Sequence, residues 1–159
     1  MHEFVHALFL GHLDDDHGFD YGLIPLDLTE RSHRRHLWEE LVCCAVSTAY
    51  AQAYDPEPRR FVADWFTEQV EIQGVFHGLE DDLDGYRARI SEAIARPAWR
   101  AELDAATEQG YAAVAAALVG VGVDPAQAGA TRLHPAELWA NYRAGWPEAG
   151  PSDWKKAVR

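Results

Sequence analysis

Between Leu41 and Tyr54 the chain reads LVCCAVSTAYAQAY, fourteen consecutive residues without a charge. Alanine recurs through the run and apolar–polar alternation is absent, so it reads as helix rather than strand. A helix with no polar face must be covered on every side. The run is shorter than the roughly 18 apolar residues of a membrane span, so its cover has to be protein. The helix is therefore expected to be largely buried, and the expected fold class is an all-α helical bundle.

The flanking sequence supplies the wrapping helices. Residues 2–13 form a first periodic segment, followed by the loop DDDHGFDYGLIPLDL with Gly18, Gly22 and Pro25 as breakers. Thr29 is expected to cap the helix that carries the uncharged run to about Tyr54, where DPEP at 55–58 stops it. A third helix is expected from about Arg59 to Leu83 and a fourth from about Tyr86 to Ala95. Pro97 opens a fifth that runs to about Leu118. Asp124-Pro125 opens a short helix and Pro135 another, PAELWANYR, before a Pro/Gly-rich tail with a Ser152-capped turn. Residues 1–120 are thus read as the bundle domain, and 121–159 as short helices and a tail packing on it.

Charge narrows the function classes. With 14 basic and 26 acidic residues among 159, the net charge is −12. That disfavours a nucleic-acid backbone or an anionic membrane surface as partner. The adjacent cysteines Cys43 and Cys44 are badly placed to bridge to each other and read as reduced, buried thiols, which suits a cytoplasmic protein.

Polar residues on apolar helix faces mark the candidate site. His2 and His6 share a face of the first helix with Phe9, Leu10 and Leu13, with Glu3 at its edge. Two histidines four apart can reach one metal ion, and imidazole suits zinc and iron alike. Glu39 and Glu40 stand at the entrance to the uncharged run. On the third helix Phe61, Trp65, Ile72, Phe76 and Leu79 form a stripe that contains Glu68, with Glu71 at its edge. A carboxylate in such a stripe needs an arginine partner, available from RSHRR at 31–35 or PRR at 58–60, or a metal ion.

Two family resemblances give these residues roles. RFVADWFTEQVEIQ and EFVHALFLGHLDDDHG resemble the metal-bearing helices of ferritin-like di-iron carboxylate proteins. The resemblance implies a ferritin-like bundle in which Glu3, His6, Glu40, Glu68 and Glu71 hold two iron ions that react with dioxygen. This sequence has E-x-x-E where the family's late helix has E-x-x-H. The helix that precedes E-x-x-H in the family is absent, so a homo-oligomer or a partner subunit is expected to complete the bundle. His2-Glu3-Phe4-Val5-His6 also matches the H-E-x-x-H pattern of zinc peptidases. That resemblance implies His2 and His6 as zinc ligands, Glu3 as catalytic base, and Glu39, Glu40 or His12 as third ligand. Those peptidases place a sheet, with its substrate-holding edge strand, before the helix. GVFHGLEDDLDGY is similar to the aspartate-rich segment of isoprenoid synthases, in chains much longer than this one.

The expected function is therefore a di-iron oxidoreductase or oxygenase acting on a small-molecule substrate or dioxygen. A zinc metallopeptidase-like protein is the alternative enzyme. A metal-free helical interaction subunit, presenting Trp139, Trp146 and Trp154 to a partner, is the alternative from another class.

Overall fold

The structure, a computed structural model, describes residues 2–9, 26–79 and 81–146, without the side chains of Glu3, Phe9, Val75 and Phe76. Every regular element among the described residues is helical: α1 (His2–Phe9), α2 (Arg31–Ala51), α3 (Pro58–Phe76), α4 (Leu83–Ala95), α5 (Pro97–Gly120) and α6 (Pro135–Arg143). A 3-10 turn, Gln52–Tyr54, ends α2. No described helix is long and apolar enough to cross a membrane.

The uncharged run is buried from Leu41 to Ala49, whereas at its end Ala53 and Tyr54 are exposed, Tyr54 at 90%. α2 lies at the centre, in contact with α1, α3, α5 and α6. Leu41, Val42, Cys43, Cys44, Ala45 and Val46 are all fully buried, and the polar Ser47 and Thr48 survive there by donating to the Cys44 carbonyl one turn back. Leu138 and Trp139 of α6 join the same core, so α6 packs on the other helices.

Several boundaries differ from the sequence expectation for local reasons. Thr29 does not cap α2; its hydroxyl donates to Asp27 and Glu30 takes the cap position. α3 stops at Phe76 because Gly78 turns left-handed (φ 64°) and the Leu79 N–H closes back on the Gly74 carbonyl at 2.8 Å. α4 then starts at Leu83, where Asp82 accepts from the Gly85 N–H at 3.0 Å. The short helix expected after Asp124-Pro125 is a turn, in which the Asp124 carboxylate accepts from the Ala126 N–H. The Ser152-capped turn, His12 and Trp154 lie outside the described residues.

The buried face of α3 is the larger correction. Val62, Phe66, Val70 and Gln73 face the core, whereas Phe61 and Trp65 are half-buried and Ile72 is exposed. The helix carries apolar residues on two neighbouring stripes, and the slimmer one is inside. Gly74 lets α4 approach that face: a Cβ there would meet Leu83 Cδ2 at 2.5 Å.

A partly buried ion pair ties the start of α2 to α5. Arg34 makes a two-pronged contact with Glu102 (2.9 and 3.0 Å) and donates to the Leu28 and Thr29 carbonyls. Its guanidinium also lies 4.7 Å from the centre of the Trp99 ring.

Candidate metal centre

α1 contributes the two histidines because a spacing of four returns to the same helix face, and that face docks against α2 and α5. Val5 and His6 are buried on this face, while Phe4 is 45% exposed on the other. Opposite them, consecutive turns of α2 bring Glu39, Glu40, Cys43 and Cys44.

His2, His6 and Glu40 are brought together with ligand atoms all within 4.8 Å of one another, the one such cluster of three among the described residues. His6 Nε2 lies 2.9 Å from His2 Nε2 and 3.4 Å from Glu40 Oε1, and His2 Nε2 lies 3.5 Å from Glu40 Oε2. Ligand atoms about 2.0–2.1 Å from a tetrahedral ion are roughly 3.3–3.4 Å apart. The two ring nitrogens face different oxygens of one carboxylate, and one ligand atom from each of the three residues lies within 4.8 Å of the other two, close enough for a single ion to draw them together.

The ring of His6 is held from behind. Its Nδ1 is 3.0 Å from Glu39 Oε1, and Glu39 is itself buried. A carboxylate on Nδ1–H leaves the Nε2 lone pair facing the triangle, the arrangement found behind many metal-bound histidines. Burial alone would depress the His6 pKa, but hydrogen bonding with Cys43, Glu39 and Glu40 outweighs it and raises it strongly. Burial would likewise raise Glu40, yet His2 and His6 hold its carboxyl well below the usual range. Burial pushes the Cys43 thiol up to about 11 and raises Cys44 well above the ordinary thiol value, so both are thiols rather than thiolates.

The remaining expected ligands stand elsewhere. Glu68 is on the exposed flank of α3, beside a shallow groove lined by Asp55, Phe61, Asp64 and Trp65. The sequence puts Glu68 in the interior only if Phe61 and Trp65 form the core stripe, whereas Val62, Phe66 and Val70 do so. Glu71 is paired with Arg87 at 2.9 Å. Arg87 comes from α4, not from either of the arginine clusters expected to supply a partner. The backbone of Glu3 lies between the two histidines on α1, and its side chain is outside the described residues.

Two of the three tryptophans expected as partner contacts, Trp139 and Trp146, make contacts within the chain. Trp139 is buried and donates to Ser91 at 3.0 Å, and Trp146 donates to Thr67 at 2.8 Å. Sequence reasoning missed Glu39 as the support of His6, because the helix pattern says nothing about which of two adjacent carboxylates turns toward a ring on another helix. Compared with protein-family models, with curated proteins and with solved structures, the chain matches none.

Proposed function

We propose that this chain is a metalloenzyme with a mononuclear centre. His2, His6 and Glu40 hold one zinc-type divalent ion, Glu39 orients His6, and Glu3 of the H-E-x-x-H segment is the general base. The observation that carries the reading is the convergence of His2 Nε2 and His6 Nε2, 2.9 Å apart, on the Glu40 carboxylate, with His6 3.4 Å from Oε1 and His2 3.5 Å from Oε2. Two histidines and one carboxylate with a position left for water form the donor set of hydrolytic zinc sites, where the ion makes bound water acidic enough to attack near neutral pH. The same donors suit ferrous iron and dioxygen. A two-iron centre needs further carboxylates, and Glu68 and Glu71 do not supply them. Small-molecule hydrolysis is favoured over peptide cleavage, since the described residues include no strand to hold an extended peptide.

A second reading has its own support. The raised His6 pKa, with Glu39 and Glu40 on either side, fits a protonated imidazole held between two carboxylates in a metal-free helical scaffold.

Elemental analysis of protein purified without added metal separates these readings. About one zinc per chain, lost in His6→Ala and Glu40→Ala, is the expected result. One iron per chain would move the chemistry to dioxygen, two irons would restore the dinuclear reading, and none, with no uptake on zinc addition, would leave the scaffold.

A further inference from the structure

The two histidines of the proposed centre are supported differently. Behind His6 stands a carboxylate. Behind His2 stands a chain of three buried polar side chains from three other elements. His2 Nδ1 lies 3.9 Å from Cys44 Sγ on α2, the Gln73 amide on α3 donates to the same sulfur at 3.2 Å, and the Tyr86 hydroxyl on α4 donates to Gln73 Oε1 at 3.0 Å.

Cys44 and Tyr86 are fully buried and Gln73 is 2% exposed. Burying an amide and a phenol costs free energy that an apolar pair would avoid. The rest of the buried face of α3 is Val62, Phe66 and Val70, so packing alone gives no reason for a glutamine there. The chain also has a direction. The phenol donates to Oε1, which turns the Gln73 N–H groups toward sulfur. Cys44 Sγ is then held from one side, with its acceptor capacity facing His2.

We propose that Tyr86, Gln73 and Cys44 form a positioning relay for His2. This inference rests on the reading of His2 as a metal ligand. With Nε2 facing the ion, the ring proton must sit on Nδ1, and Cys44 Sγ is the group that accepts it. Sulfur is a weaker acceptor than the Glu39 carboxylate, so the ring of His2 is held less firmly than that of His6.

The test uses the full chain with zinc, measured by competition against a chromophoric chelator, and with cobalt(II), read by its visible absorption. Cys44→Ala and Gln73→Leu are expected to weaken zinc binding on the order of 10-fold to 100-fold and to shift the cobalt bands. Cys44→Ser, which restores an acceptor, should recover most of the affinity. Nitrogen-15 NMR of the zinc-loaded protein should show the His2 proton on Nδ1 in the parent and in Cys44→Ser. Tyr86→Phe removes one oxygen and carries the test if the larger truncations do not fold; a several-fold weaker zinc affinity is expected. Folded variants that bind zinc as tightly as the parent, with unchanged cobalt spectra, would overturn the relay and leave the centre standing. A parent protein that takes up neither ion would overturn the centre and the relay together.

Discussion

Nδ1 of His6 lies 3.0 Å from Oε1 of Glu39 across the contact between α1 and α2, and both side chains are buried. The adjacent residue, Glu40, meets the other nitrogen of the same ring. In the proposed centre, neighbouring carboxylates on one helix thus have separable roles, Glu39 as support and Glu40 as ligand. Glu39→Gln keeps an acceptor for the Nδ1 proton but removes the charge that makes the ring a better donor to metal. Zinc affinity should fall about 10-fold, and about 100-fold in Glu39→Ala. Glu40→Ala, which removes a ligand, should cost more than either. A competition titration with the three variants decides the order. Equal losses at both positions would put Glu39 in the coordination shell itself.

Metal removal should act on α1 before anything else. The helix has eight residues, too few to hold its conformation alone in water, and two of the three ligands belong to it. An ion shared by His2, His6 and Glu40 therefore clamps α1 to α2. Zinc at a hundred times its dissociation constant should add about 2.7 kcal/mol to stability. For a chain of this size that is a rise in Tm of roughly 5–10 °C, reversed by a chelator. Hydrogen exchange should quicken over residues 2–9 on chelation while α2 and α5 stay protected. A Tm indifferent to both zinc and chelator would count against the clamp.

What was legible in the sequence is what depends on one helix at a time. The charge-free LVCCAVSTAYAQAY marks a largely buried helix, though its last residues, Ala53 and Tyr54, are exposed, and His2 and His6 share a face by spacing alone. Glu40 was within reach of inference because its helix was identified as the buried one. Glu68 was misassigned because α3 offers two apolar stripes. Periodicity cannot tell the aromatic one, at 61, 65 and 72, from the slimmer one at 62, 66, 70 and 73 that Gly74 allows α4 to cover. The contacts of Glu39, Cys44 and Gln73 depend on how three helices are rotated against one another. Only the packed structure fixes that.

Arg34 and Glu102 give stability a pH dependence away from the centre. The hydrogen bonds from Arg34 hold the Glu102 carboxyl below its ordinary pKa, against a small opposing effect of burial. The folded protein thus binds that proton less readily than the unfolded chain. The contribution is present above the ordinary glutamate range and is lost as pH falls through the folded value. Glu102→Gln should cost about 1–2 kcal/mol at pH 7, since Arg34 is buried and keeps its charge while its partner is part-exposed. Urea unfolding should show the gap between parent and variant closing once the carboxyl is protonated. A gap that stays constant into acid would mean that shape, not charge, sets the loss.

His134 should act in the same direction at higher pH. It caps α6 by accepting the Ala136 N–H on Nδ1 at 3.2 Å, while its Nε2 lies 3.2 Å from Asp104. Burial and then the nearby Arg100 lower its pKa, and Asp104 only partly offsets them. The fold therefore favours the neutral ring. Protonation puts a hydrogen on the atom that serves as the cap, so this stability is full above the ordinary histidine value and declines as pH drops below it. His134→Asn retains a capping oxygen without the titration, and it should match the parent at pH 7.5 and exceed it at pH 5. His134→Ala should lose about 1 kcal/mol at pH 7.5. Thermal melts of the three proteins at both pH values are the measurement. If the parent and His134→Asn lose stability in parallel on acidification, the sensitivity originates at another residue.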